Sequence, residues 1–179
     1  MVNDIRDILI TEEELKEIIA KLGRQVTEDY KDKNLFLITV LKGAVLFLGD
    51  LMREIKCPCE IDFMVTSSYG SGTVSSGNVK IVKDIDVPLD DKDVLIVEDI
   101  LDTGLTLNFL MDLLKNRNPR SIEICALLDK PSRRAADIKA KYTGIEIPDE
   151  FVVGYGLDYD EKYRNLPFIG VLKPEVYER

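Results

Sequence analysis

Val94-Leu95-Ile96-Val97-Glu98-Asp99-Ile100-Leu101-Asp102-Thr103-Gly104-Leu105-Thr106 is the stretch that decides the reading of this chain. Four consecutive apolar residues, three of them β-branched, are too short a run for a helix and suit a strand buried on both faces, as in a parallel sheet. The acids and the Asp-Thr-Gly turn that follow precede Leu107, Leu110, Met111 and Leu114, which recur at helical spacing until Asn118-Pro119. A second apolar run over 122–128 completes a strand, helix, strand unit. Its strands should be parallel, joined by a right-handed crossover, which makes the class α/β.

The pattern extends outward on both sides. Thr11-Glu12-Glu13-Glu14 has the form of a capping box, and Leu15, Ile18, Ile19, Leu22 and Val26 follow at helical spacing, predicting a helix to about residue 30. A buried strand is expected over 35–40, a turn at Leu41-Lys42-Gly43, a helix over 44–55, a strand over 61–66 and an edge strand over 79–82. Between the last two, residues 67–77 are rich in Ser and Gly, have nothing to bury, and read as a mobile loop. Beyond Lys130 the pattern is irregular, with short strands expected at 151–153 and 168–171.

The 179 residues suit one domain. With 33 acidic against 24 basic residues the net charge is −9, which repels polyanions, so no nucleic-acid partner is expected and an anionic ligand needs a local reversal of sign. No apolar run approaches the ~20 residues that span a bilayer, and residues 1–7 are too charged for a signal peptide. A cytoplasmic protein with no membrane partner is the expectation. Cys57, Cys59 and Cys125 read as plain thiols. The chain has no histidine, so acid–base work near neutral pH falls to carboxylates, Lys, Tyr or Cys, and a metal site would be oxygen-rich, favouring Mg²⁺.

In open α/β sheets ligands collect beyond the carboxyl ends of the strands, which is where residues 98–106 are expected. Glu98 and Asp99 can bind vicinal hydroxyls or a hydrated Mg²⁺. Thr103, Gly104 and Thr106 offer backbone N–H groups and hydroxyls at a helix N-terminus, a site for phosphate. Taken singly, Asp102 or Thr103 reads more readily as a helix cap, and Phe151 as core. A Walker B strand is set aside because no G-x-x-x-x-G-K-[ST] loop accompanies it. A phosphoacceptor signalling domain and a regulator that reads nucleic acid on the same fold remain alternatives.

The apolar strand, paired acids and Asp-Thr-Gly-x-Thr loop resemble the type I phosphoribosyltransferases, and most closely their hypoxanthine-guanine branch. The likeness also covers Leu41-Lys42-Gly43, Ser68-Tyr69-Gly70, Leu127-Leu128-Asp129-Lys130 and the run from Phe151 to Tyr159. It implies a twisted, mainly parallel sheet flanked by helices, with a core over about 30–130 and a small irregular hood from the N-terminal residues and about 131–179. The implied reaction joins the 5-phosphoribosyl group of 5-phosphoribosyl 1-pyrophosphate (PRPP) to hypoxanthine or guanine, with xanthine a third candidate base, giving IMP or GMP and pyrophosphate.

The same resemblance assigns residues. Glu98 and Asp99 would hold the ribose hydroxyls, residues 102–106 (Asp102, Thr103, Gly104, Leu105, Thr106) the 5′-phosphate, and Asp102 would be the base that takes the purine N7 proton. Leu41, Lys42, Gly43 and Arg164 would cradle pyrophosphate, the Leu41–Lys42 peptide being often cis in the family. Lys130 would donate to a purine O6, Ile100 and Phe151 would sandwich the ring, and Val152 would meet its edge. Glu98, Asp99 and Asp158 would hold Mg²⁺, and Ser68 and Tyr69 would belong to a lid. A homodimer or homotetramer is implied. Leu105 departs from relatives that carry Lys there, so phosphate binding would rest on backbone, hydroxyls and the helix end.

Overall fold

The computed structural model describes residues 1–68 and 79–178. Its main sheet has six strands in the order β4-β3-β2-β5-β6-β7, formed by β2 (Leu35–Leu41), β3 (Cys59–Ser68), β4 (Val79–Lys83), β5 (Asp93–Leu101), β6 (Ser121–Asp129) and β7 (Tyr142–Glu146). All neighbours are parallel except the edge strand β4, which is antiparallel to β3. A second, three-stranded antiparallel sheet, β1-β9-β8, joins β1 (Ile5–Ile10), β9 (Ile169–Leu172) and β8 (Val152–Val153).

Successive strand side chains point to opposite faces, so each central strand fills two cores. Leu37 of β2 and Leu95 and Val97 of β5 pack under α1 (Glu12–Tyr30) and α2 (Val45–Glu54), with Leu15, Leu22, Val26, Phe47 and Leu51 as the helical contribution. Phe36, Ile38, Val94 and Ile96 face the other way, against Leu107, Leu110 and Leu114 of α3 (Leu105–Lys115). Thr11 accepts from the Glu14 backbone while the Glu14 carboxylate accepts from the Thr11 N–H, so the expected capping box forms.

Several expectations shift. β5 runs four residues past Val97, because its ladder with β6 continues through Glu98↔Ala126, Ile100↔Leu128 and Leu101↔Asp129. Glu98 and Asp99 therefore lie within the strand instead of beyond its end. Pairing with β2 stops at Thr39↔Val97, although β2 itself continues beside β3 to Leu41. The two central strands thus part company where the acids begin. β3 extends to Ser68, two residues into the expected loop, since Ser67 and Ser68 pair with Lys80 and Val79. Tyr69 and residues 70–77 lie outside the described residues, and with them the rest of that loop.

β1 and β7 are absent from the sequence reading. β1 alternates poorly (Ile5-Arg6-Asp7-Ile8-Leu9-Ile10) and is held by register-shifted pairing to β9, 160 residues away. β7 carries Gly144, which packs against the Leu127 carbonyl. α3 ends at Lys115, before the Asn118-Pro119 stop, with Asn118 at φ 53°.

Leu95 is fully buried at the centre of the larger core. Leu95→Ala should therefore cost about 2–5 kcal/mol in equilibrium urea unfolding, from lost transfer energy plus the cavity left behind. A loss under ~1 kcal/mol would mean that this strand is not the core's centre.

Candidate active site

The divergence of β2 and β5 opens a cavity of about 260 Å³ lined by Leu41, Lys42 and Gly43 on one side and by Glu98 through Gly104 with Thr106 on the other. It lies where the strand order reverses direction from the centre of the sheet, the place α/β sheets usually reserve for ligands. Glu98 and Asp99 are half-buried in it. Burial pushes the Glu98 carboxyl well above its ordinary range, and the neighbouring Asp99 charge pushes it further. Burial likewise raises Asp99, opposed by the Ile100 N–H, which donates to Asp99 Oδ1 at 2.7 Å, and by the Arg164 charge.

Gly43 is needed on the facing wall because a Cβ there would overlap the Asp99 carboxylate. The Leu41–Lys42 peptide is cis. Lys42 Nζ donates to both oxygens of Glu161 at 3.1 Å.

The turn after β5 belongs to backbone geometry more than to side-chain capping. Gly104, at φ 78°, is the N-cap of α3 and has no side chain to cap it. Thr103 Oγ1 accepts from the Leu105 N–H at 3.5 Å, a long bond at the helix start, whereas the Asp102 side chain makes no such bond. The N–H groups of Thr106 and Leu107 have no partner within the helix, and that of Asn108 donates to Gly104 O.

Arg134 holds this turn from below. Its Nε donates to Asp102 O at 3.0 Å, Nη1 to Ile138 O at 2.8 Å, and Nη2 to Leu101 O at 3.1 Å and to the Asp129 carboxylate. The N–H groups of Ala135 and Ala136 both donate to Thr103 O.

A second cavity of about 500 Å³ adjoins the first, and Ile100 and Asp102 line both. Its remaining walls include Lys130, Arg133, Asp149, Phe151, Val152, Asp158 and Tyr177. Lys130 is buried, with Nζ donating to Glu150 O at 2.8 Å and 3.8 Å from Asp149 Oδ1. Phe151 is 37% exposed and so is not core. Asp102 Oδ1 is buried without a hydrogen-bond partner among the described residues, although Arg133 Nε stands 3.3 Å away. Arg164 donates from Nη1 to Gly156 O at 2.8 Å and pairs through Nη2 with Asp158 at 2.9 Å, while its buried Nε has no partner among the described residues.

The fold thus brings residues 41–43, 98–104 and 106 around one cavity and Ile100, Asp102, Lys130, Phe151, Val152 and Asp158 around the next. Ser68 ends β3, and Tyr69 lies outside the described residues. Arg133, Arg134, Asp149, Glu161 and Tyr177 were not singled out from sequence. Arg133-Arg134 carries a signal nonetheless, two adjacent cations directly after β6 in a strongly acidic chain.

Among the described residues no three carboxylate, cysteine or histidine side chains cluster closely enough for an all-protein metal cage. The donors available at Glu98, Asp99 and Asp158 are all oxygens. That suits Mg²⁺, which typically takes one or two carboxylates and draws its other ligands from water and substrate phosphates.

Residues 6–160 match the phosphoribosyl transferase domain, and the chain belongs to that family. It is 56% identical over 178 residues, 99% of both chains, to the hypoxanthine-guanine phosphoribosyltransferase of Bacillus subtilis (strain 168). Identity is 55% over 177 residues, again 99% of both, to the protein of that name from Staphylococcus aureus (strain N315). A crystal structure of a hypoxanthine phosphoribosyltransferase from Staphylococcus aureus superposes with a TM-score of 0.97 at 55% identity, covering 100% of this chain and 97% of that one.

The paired acids have a measurable cost. A carboxyl raised by folding is favoured in its protonated form, so its contribution to stability is present at low pH and is lost as pH rises through the raised value. The penalty grows as pH rises from the ordinary glutamate range towards that raised value. Glu98→Gln removes it, so the ligand-free variant should melt above the wild type at pH 7.5, with the gap closing as pH falls towards 4.5. Equal melting temperatures at pH 7.5 would contradict this electrostatic picture.

Proposed function

We propose that this protein is the purine-salvage enzyme that transfers the 5-phosphoribosyl group from PRPP to N9 of hypoxanthine or guanine, releasing pyrophosphate and IMP or GMP. One observation carries the reading: an acid-floored cavity at a helix N-terminus and an aromatic-walled cavity with a buried lysine meet at Ile100 and Asp102. The near full-length likeness to hypoxanthine-guanine phosphoribosyltransferases supports it.

The roles follow from position. The Thr103–Thr106 turn and the free N–H groups of α3 grip the 5′-phosphate, with the helix dipole adding to the attraction. Glu98 and Asp99 bind the 2′- and 3′-hydroxyls of the ribose. Lys42, Gly43 and Arg164 receive the pyrophosphate, the buried Arg164 Nε being a donor without a partner among the described residues. Glu98, Asp99 and Asp158 would hold Mg²⁺, which would supply positive charge against the diphosphate.

In the second cavity the purine lies between Ile100 and Phe151, with its edge against Val152. Lys130 has three N–H donors and spends one on Glu150 O, leaving donors for a 6-oxo group. Adenine, whose 6-amino group is itself a donor, leaves that lysine unmatched. As N9 attacks C1′ and the bond to pyrophosphate breaks, the N7 proton passes to Asp102, whose Oδ1 is an acceptor without a hydrogen-bond donor in place. Arg133 Nε stands 3.3 Å from the same oxygen.

The reading extends to a cytoplasmic homodimer or homotetramer. Val45 and Leu46, exposed on α2, offer apolar surface for a subunit contact. Among the described residues no helix is long and apolar enough to cross a membrane.

The test is a base panel with PRPP and Mg²⁺, following nucleotide and pyrophosphate. Hypoxanthine and guanine should be converted and adenine should not. Asp102→Asn should keep the fold and PRPP affinity while turnover falls by about two orders of magnitude or more. Product from adenine or uracil alone would reassign the substrate class, and unchanged turnover in Asp102→Asn would remove that residue from proton transfer.

A further inference from the structure

The aromatic wall of the second cavity is more than one ring thick. Phe151 is only the inner layer. The ring of Tyr177, from the C-terminal helix α4 (Pro174–Tyr177), stacks on Phe151 with centroids 4.7 Å apart and planes 18° from parallel. Tyr159 meets Phe151 with the ring planes perpendicular, centroids 5.6 Å apart. Tyr177 also lines the cavity itself, as do Lys130 and Asp102.

The chain's last turn is anchored where it must be to make this contact. The Leu172 N–H donates to Phe151 O at 2.8 Å, so β9 fixes the backbone that carries the inner ring. The Lys173 N–H donates to Asp4 O at 2.9 Å, and Lys173 Nζ to Asn3 O at 2.7 Å, so the N-terminal residues fix the start of α4. Val176 and Tyr177 then pack against Val153, Tyr163, Leu166 and Leu172. Phe151, by contrast, precedes a two-residue strand and is 37% exposed, with the rings of Tyr177 and Tyr159 as its aromatic neighbours.

We infer that Tyr177 is a positioning residue for base binding: stacked on Phe151, it holds that ring in the orientation that a planar heterocycle needs to stack against. Tyr177 touches the wall rather than the reacting atoms, so its loss should appear in affinity for the base and not in proton transfer or in PRPP binding. The cavity persists beside the stacked pair, so the tyrosine backs the site without filling it. This rests on the purine reading of that cavity.

The experiment is steady-state kinetics of the full-length enzyme with Tyr177→Ala and Tyr177→Phe, varying hypoxanthine at saturating PRPP and the reverse. An aromatic pair contributes roughly two- to tenfold in a binding constant. Tyr177→Ala should raise KM for hypoxanthine by that factor, with KM for PRPP unchanged and kcat falling less than twofold. Tyr177→Phe, which keeps the ring and loses the hydroxyl, should match the wild type. An unchanged or lowered KM for hypoxanthine in Tyr177→Ala overturns the inference, as does an equal defect in Tyr177→Phe or a parallel rise in both KM values. Absence of wild-type turnover with any purine would instead reject the functional reading on which the inference stands.

Discussion

Two carboxylates placed side by side in a partly dry recess repel each other and lose hydration, and this chain nevertheless places Glu98 and Asp99 in that position. Much of the surrounding architecture can be read as the means of doing so. β5 is carried past the end of its pairing with β2 by continued bonding to β6, so the acids sit on rigid strand instead of a loop. Gly43 leaves room for the Asp99 carboxylate, and the Ile100 N–H and the Arg164 charge partly compensate it. In the proposed function, the remaining deficit is what a divalent cation and a sugar with vicinal hydroxyls would relieve. A site that weakens the free fold in order to bind its ligand is a common compromise in enzymes.

The second requirement is a reversal of sign in a chain of net charge −9. Lys42, Lys130 and Arg133 line the two cavities, Arg134 and Arg164 bond to the turns beside them, and each already has a carboxylate nearby: Glu161, Asp149, Asp102, Asp129 and Asp158 in turn. In the proposed reading an incoming diphosphate would exchange partners with exposed acids such as Glu161 instead of meeting bare cations. Such exchange limits the cost of holding like charges together in the free protein. Arg134 differs from the others, because its bonds go mainly to backbone oxygens of the phosphate turn and fix its shape.

Much of this was legible in the order of residues. The buried strands at β2, β5 and β6, the capped helix α1 and the acids followed by Asp-Thr-Gly-Leu-Thr follow from local patterning, since their partners lie close in the chain or act through period and propensity. β1 and β7 were not legible: β1 gains its partner from β9 at the far end of the chain, and β7 has a glycine where packing on Leu127 demands one. The true end of β5 was hidden because it depends on which neighbour continues the ladder. For the site, the residue types and spacing marked Glu98, Asp99 and Asp102. The stacking of Tyr177 on Phe151 and the support given by Arg134 could not be read, because both depend on tertiary contacts that the spacing of residues does not encode.

The most direct test is a crystal structure with Mg²⁺, PRPP and a purine analogue that lacks a nucleophilic N9. The account predicts the 5′-phosphate on the backbone of residues 103–106, the ribose hydroxyls on Glu98 and Asp99, and the analogue's ring between Ile100 and Phe151. PRPP bound elsewhere, or those two carboxylates directed into solvent away from it, would contradict the account.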